Sequence, residues 1–178
     1  MSSEQILEVE IPEGIEVTLT EDSSLIVKGP LGEVRKRFND PRASLSKGEN
    51  SIAIRSRSQR KKSAAMVNTY RAHLRNMFQG VNQGFTYEMQ IIYSHFPMRV
   101  NFKGGEVLIQ NFLGERSPRK ATIFEGVDVK VQNERVILKG IDKEKVGQSA
   151  ANIERATKIK RKDPRVFQDG IYIVGGAR

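Results

Sequence analysis

Two stretches of this chain carry nearly the same pattern, and in the same order. Leu25-Ile26-Val27-Lys28-Gly29-Pro30-Leu31-Gly32-Glu33 is answered 82 residues later by Val107-Leu108-Ile109-Gln110-Asn111-Phe112-Leu113-Gly114-Glu115. Ile11-Pro12 is answered by Phe96-Pro97 at an offset of 85, and Ile52 and Ile54 by Val136 and Leu138 at 84. Ser63-Ala64-Ala65 is answered by Ser149-Ala150-Ala151 at 86, and Gly84 by Gly170, also at 86. Two unrelated strand-turn-strand units with ordinary turn chemistry would explain single matches. The preserved order points to a tandem duplication. The chain of 178 residues then divides into two copies. Each has roughly 80 to 95 residues, small but sufficient for one core.

The periodicity inside each copy sets the fold class. Ile15, Val17 and Leu19 alternate with polar residues, as a half-buried strand requires. A polar turn over Glu21-Asp22-Ser23-Ser24 leads to the β-rich Leu25-Ile26-Val27. Gly29-Pro30-Leu31-Gly32 is a turn, Val34 to Phe38 return as a charged strand, and Ser44 to Asn50 reads as a polar segment before a strand at Ile52 and Ile54. The period then changes. Met66, Val67, Tyr70, Leu74, Met77, Phe78 and Val81 recur at helical spacing, with Ser63 expected as cap and Gly80 as stop. Phe85, Tyr87, Met89, Ile91 and Tyr93 alternate again and are expected to close the first copy as a strand.

The second copy repeats this order. Met98, Val100 and Phe102 precede a turn at Gly104-Gly105, and Val107 to Ile109 precede the turn around Leu113-Gly114. Val127, Val129 and Val131 alternate, as do Val136 and Leu138. Val146, Ala150, Ile153 and Ala156 form a weaker helical stripe, and Ile171 to Val174 make a closing strand. The expected fold class is α+β: two tandem similar domains, each an antiparallel sheet packed with one main helix. The boundaries are placed at 1–94 and 95–178.

Catalysis finds little support. There is no cysteine, which excludes disulfides, thiolate metal sites and cysteine nucleophiles. The two histidines, His73 and His95, are isolated in sequence and read as hydrogen-bonded structural residues. There is no HExxH, GxSxG or phosphate-loop motif, and no pair of carboxylates converges on one bond. The expectation is no enzyme, no metal and no cofactor. No apolar run reaches the span of a membrane helix, and Met1 to Glu10 lacks the apolar core of a signal peptide.

Charge says more. Thirty basic against 21 acidic residues leave a formal net charge of +9, which points to a polyanionic partner. Residues 1–85 carry +3 and residues 86–178 carry +6. The densest window runs from Arg155 to Arg165: Arg155, Lys158, Lys160, Arg161, Lys162 and Arg165 against Asp163. One or two cations there would offset a helix dipole. The excess suits phosphate contact. Arg116, Arg119 and Lys120 form a second cluster, Arg55, Arg57, Arg60, Lys61 and Lys62 a third. Arg35, Lys36 and Arg37 are either a fourth basic cluster or a solvated edge strand protected by charge, since alternate members of a strand face opposite sides. Gly140 to Ala151 enters the second helix, and two readings of it stand side by side. Asp142 caps the helix, or backbone donors around Gly147 meet a phosphate. A protein module docking an acidic partner is the alternative to nucleic-acid binding.

These residues bring a resemblance. Ile11-Pro12-Glu13-Gly14-Ile15-Glu16-Val17, with Val27-Lys28-Gly29-Pro30-Leu31-Gly32, resembles the N-terminal repeat of the universal large-subunit ribosomal protein six family. Asn111 to Glu115, Gly140-Ile141-Asp142, Val146 to Ile153 and Asp169-Gly170-Ile171-Tyr172 resemble its C-terminal repeat. The ending Phe167-Gln168-Asp169-Gly170-Ile171-Tyr172 is similar to the archaeal and eukaryotic branch. The resemblance implies a non-enzymatic, cytoplasmic ribosomal protein without cofactor. Such a protein binds large-subunit rRNA mainly through its C-terminal domain, near the sarcin–ricin loop and the factor-binding GTPase centre. Its N-terminal domain lies towards the stalk base, beside neighbouring ribosomal proteins. The contacts it implies fall on Lys143, Lys145, Gly147, Gln148 and Ser149, then on Arg155, Lys158, Lys160, Arg161, Lys162, Arg165 and Gly170, with Arg116, Arg119 and Lys120 as a weaker addition. Tyr172 is expected to fill the core, with base stacking as the other role for it and for Phe167.

Overall fold

The computed structural model describes residues 5–20, 22–56, 58, 60–163 and 165–176. Glu21 of the first polar turn, Arg57 of the third basic cluster and the terminal Ala177 and Arg178 lie outside the described residues. The chain divides into two units, Met1–Gly84 and Phe85–Arg178.

The first unit contains β1 (Gln5–Glu10), β2 (Glu16–Leu19), β3 (Ser24–Gly29), β4 (Gly32–Arg37), β5 (Ala43–Lys47), β6 (Ser51–Ser56) and α1 (Lys61–Asn82). Its strands form two antiparallel sheets, β2-β3-β4 and β1-β6-β5. Val17, Leu25, Val27, Ile52 and Ile54 turn one face of these sheets inward. Helix α1 covers that face with Val67, Tyr70, Leu74, Met77, Phe78 and Val81, the helical stripe expected from the sequence. The ends of α1 differ from expectation. Arg60 occupies the cap position with no side-chain bond, and Ser63 is buried inside the helix. Gly80 is buried too, and the chain leaves the helix at Gly84, whose φ of +74° suits glycine. The Gly84 N–H donates to the Gly80 carbonyl at 2.9 Å.

The second unit contains β7 (Phe85–Ile92), β8 (Arg99–Lys103), β9 (Glu106–Gln110), a short 3-10 turn at Phe112–Gly114, β10 (Arg119–Thr122), β11 (Val127–Gln132), β12 (Arg135–Gly140), α2 (Lys143–Ala156) and β13 (Gly170–Gly175). The sheets are β8-β9-β10 and β11-β12-β7-β13, all antiparallel. Met89, Val107, Ile109, Val136, Leu138, Val146, Ala150, Ile153 and Ile171 belong to one core. The topology of the first unit recurs: β7-β12-β11 matches β1-β6-β5, and β8-β9-β10 matches β2-β3-β4.

The α+β duplication therefore holds, with two corrections. Among the described residues each unit carries two sheets rather than one. The division falls at Gly84, not at residue 94, because β7 opens the second copy instead of closing the first. It is an inner strand, bonded to β12 on one side and to β13 on the other. β13 then has no counterpart in the first unit among the described residues.

Candidate nucleic-acid interface

Helix α2 divides its residues cleanly. Val146, Ser149, Ala150 and Ile153 face the core. Lys145, Gln148, Asn152 and Arg155 follow at helical spacing along the opposite face. On that face the Gln148 amide donates to Asn152 at 3.1 Å, and Asn152 donates to the Thr122 carbonyl at 3.0 Å. These bonds hold polar groups in a fixed row between Lys145 and Arg155.

The helix start is settled by Asp142. Its carboxylate accepts from the Glu144 N–H at 2.9 Å, and the intrahelical ladder begins with Val146 N–H donating to the Asp142 carbonyl. The amide of Gly147 therefore lies inside the ladder and cannot take a phosphate oxygen. Gly147 serves close packing instead: a Cβ there would lie 3.2 Å from the Tyr87 hydroxyl. Ser149 is also corrected. It is fully buried, and its hydroxyl accepts from the Phe124 N–H at 3.1 Å.

The basic segment after α2 is fastened at both ends. Thr157 is buried, and its hydroxyl accepts from the Ile171 N–H at 3.0 Å, tying the helix end to β13. At the far end Asp169 is wholly buried, bonded by the His95 ring Nδ1 at 3.1 Å and by the His95 amide at 3.3 Å. A carboxylate only accepts, so Nδ1 carries the proton in this pair. Burial pushes the Asp169 carboxyl up. Hydrogen bonds from the His95 ring and from the His95 and Ser94 amides outweigh it and hold the group below the usual value. His95 stacks on Phe167 at 4.7 Å, and the Lys162 ammonium lies 4.5 Å from the same ring. Asp163 accepts from the Arg165 amide and guanidinium and turns the loop.

What this frame presents outward is charge. Lys145, Arg116, Arg155, Lys158, Lys160 and Arg161 are exposed and have no side-chain partner among the described residues. Lys143 is half-buried, with its ammonium 5.6 Å from the Phe85 ring. Lys120 pairs with Glu106 at 3.4 Å. Beside the cations lies a groove of about 530 Å3, lined by Arg155, Lys158, Phe167 and Tyr172 among others. Tyr172 is 38% exposed, not in the core. Its strand position points it outward, over Gly170, and its hydroxyl donates to the Gln168 carbonyl. Gly170 itself is buried beneath that ring, where a Cβ would lie 3.0 Å from it.

Arg119 does a different job from its neighbours. Its guanidinium bonds both Glu115 oxygens at 2.8 and 2.6 Å and the Ala156 carbonyl at 2.8 Å, and it lies 4.2 Å from the Phe112 ring. It caps carbonyls that α2 leaves open and offsets the helix dipole. Hydrogen bonding to Arg119 holds the Glu115 carboxyl below its ordinary value. Charge spacing could not separate Arg119 from Arg116, because the helix end it serves is 37 residues away in sequence. Asn152, Thr157 and the His95–Asp169 pair were likewise missed as parts of this frame. Among the described residues no group of acidic or histidine side chains could hold a metal.

Comparison with known proteins places the chain in a family. The family described as "Ribosomal protein L6" matches twice, at residues 11–84 and 96–170. The chain belongs to the ribosomal protein L6 family. Relatives named large ribosomal subunit protein uL6 are similar along nearly their whole length. That of Methanobrevibacter smithii is 47% identical over 94% of this chain and 93% of its own. That of Methanosarcina mazei is 48% identical over 93% and 94%, and that of Methanothrix thermoacetophila 45% over 98% of each. The first L6 match ends at Gly84, where the first unit ends.

Proposed function

We propose that this member of the ribosomal protein L6 family binds large-subunit rRNA through the outer face of α2 and the basic segment after it. The family membership makes it a structural constituent of the large ribosomal subunit in the cytoplasm, not an enzyme. The observation that carries the finer reading is the row Lys145–Gln148–Asn152–Arg155 running into Lys158, Lys160 and Arg161. These side chains are exposed or held in place along a fastened backbone, and among the described residues neither the five cations of this row nor Arg116 has a side-chain partner.

Each cation would neutralise a phosphate and release counterions. Structured RNA shows phosphates and 2′-hydroxyls more than base edges, so recognition rests on shape. Gln148 and Asn152 supply hydrogen bonds to riboses, while Tyr172 and Phe167 offer ring surface beside Arg155 for an unstacked base. Gly147, Ser149, Gly170 and Arg119 act beneath this surface and hold it in place. By the family resemblance the RNA is the region of the sarcin–ricin loop and factor-binding GTPase centre, and the other partners are ribosomal proteins near the stalk base.

Titrating the protein against that rRNA fragment over a salt series tests the reading. With six phosphates neutralised, log K falls with a slope of roughly −4 to −5 against log salt. Changing Lys158, Lys160 and Arg161 together to Ala reduces the slope by roughly 2 to 3. Changing Arg35, Lys36 and Arg37 leaves it within about 1. A flat salt response, or equal losses from the two triple variants, overturns the proposal.

A further inference from the structure

The duplication leaves one position of the first unit without its counterpart. In the second unit β7 lies between β12 and β13. In the first unit β1 holds the β7 position beside β6, and its other edge meets no strand among the described residues. The registers align the two strands. Val9 pairs with Ile52 as Met89 pairs with Val136. The Ile11 N–H donates to the Asn50 carbonyl at 3.0 Å, as the Ile91 N–H donates to the Glu134 carbonyl at 2.7 Å. Glu8, Val9, Glu10 and Ile11 therefore correspond to Glu88, Met89, Gln90 and Ile91, the residues along which β13 lies.

The open edge borders a groove. A cleft of about 480 Å3 separates β1 from α1, with Glu8, Val9 and Glu10 on one wall and Arg71, Arg75 and Phe78 on the other. In the second unit β13 packs on both β7 and α2 at the matching place. Because the Ile11 and Val9 amides turn toward β6, those of Glu8 and Glu10 present their N–H and C=O groups to the free edge. A strand added here meets two kinds of neighbour. Val9 is buried and Ile11 half-buried, as Ile171 and Ile173 are opposite Ile91 and Met89. Glu8 and Glu10 are exposed carboxylates.

We propose that the β1 edge takes up an extended segment of a partner protein as an added antiparallel strand. Its apolar side chains stand opposite Val9 and Ile11, and its Lys or Arg residues stand opposite Glu8 and Glu10. Edge addition uses backbone hydrogen bonds for affinity and alternate side chains for selection. Opposite charges directly across a ladder attract, and like charges repel. The same rule disfavours RNA, and it disfavours a second copy of this edge, whose antiparallel pairing about Val9 would set Glu8 against Glu10. Pro12 has no N–H and ends the ladder.

The test uses the full chain and a fluorescein-labelled peptide, Ser-Gly-Val-Lys-Ile-Lys-Val-Gly-Ser, with a control carrying Glu for both Lys. Saturable binding of the Lys peptide is expected, with slowed hydrogen exchange at the Glu8 and Glu10 amides. The double variant Glu8→Lys and Glu10→Lys, both exposed, weakens that binding about tenfold or more and binds the Glu peptide instead. No saturable binding up to about 1 mM, protection outside β1, or indifference to the charge exchange overturns the proposal. A photo-crosslinker at Glu10 in the assembled large subunit identifies the occupant. A cross-link to a protein segment with this alternation supports the proposal, and one to RNA or to a second copy refutes it. Neither readout depends on the second unit's binding of RNA.

Discussion

Single residues in this protein with the same formal charge have different work, and substitution separates them. Arg119 and Arg116 lie three apart in one basic cluster. Arg119 is bonded to Glu115 and to the Ala156 carbonyl, whereas Arg116 is exposed with no partner among the described residues. Arg119→Ala is expected to lower stability by about 1–2 kcal/mol, since it strips a charged group and a helix-end carbonyl of their donor. Arg116→Ala leaves urea unfolding unchanged within about 0.5 kcal/mol and weakens RNA binding. Equal unfolding midpoints for the two variants would refute the assignment. Asp169 yields a pH prediction. Its carboxyl sits below the ordinary value of 3.8 in the folded chain, so ionised Asp169 favours the fold above that pH. The contribution fades as pH falls through the folded value. Asp169→Asn is therefore expected to cost about 1–3 kcal/mol at neutral pH, with the gap to the parent narrowing in acid. Unfolding titrations between pH 7 and 3 read this directly, and a gap that widens in acid contradicts it.

The elements show which parts of the fold local pattern can carry. Helix α1 is legible because its apolar positions recur at helical spacing from Met66 to Val81, and α2 because Asp142 precedes a similar stripe. Strand β5 is not legible. Ala43-Ser44-Leu45-Ser46-Lys47 has only two apolar positions and no β-branched or aromatic residue, and it is extended because β6 pairs with it throughout. Strand β10 hides in the same way, its Arg119 and Lys120 reading as a basic cluster while their backbone pairs with β9. The exposed cations of the candidate site were legible because charge density survives any fold. The burial of Ser149 and the outward turn of Tyr172 were not, since each depends on which neighbour a helix or strand meets. The junction of β12 with α2 gives a test at this scale. A Cβ on Gly140 would lie 2.6 Å from Val146 Cγ2 and 3.0 Å from the Gly126 carbonyl oxygen. Backbone cannot yield as a flexible side chain can, so Gly140→Ala is expected to destabilise the second unit by about 1–3 kcal/mol. A variant as stable as the parent in denaturant titration would show that the junction has slack.

For the whole molecule, the question is where one copy ends. Reading strands in sequence order assigns Phe85 to Tyr93 to the first copy, because β13 closes the second and symmetry asks for a matching strand. Pairing assigns the same residues to the second copy. β7 carries the buried Phe85, Met89 and Ile91 and supplies the ladder for both β12 and β13. Removing an inner strand strands its neighbours: β13 loses β7, its one strand partner among the described residues, and the core under α2 loses its centre. A fragment of residues 85–178 is therefore expected to fold cooperatively, while one of residues 95–178 remains unfolded. The first fragment keeps the exposed cations of α2 and the following loop, and residues 86–178 hold +6 of the net charge. Its salt slope on the rRNA fragment should thus match that of the full chain within about 1, and residues 1–84 should bind with a much shallower one. Circular dichroism melts and the same salt series decide both points. Cooperative folding of residues 95–178 would return the boundary to the linker after β7. A full-chain slope reproduced by residues 1–84 would move the RNA site to the other copy.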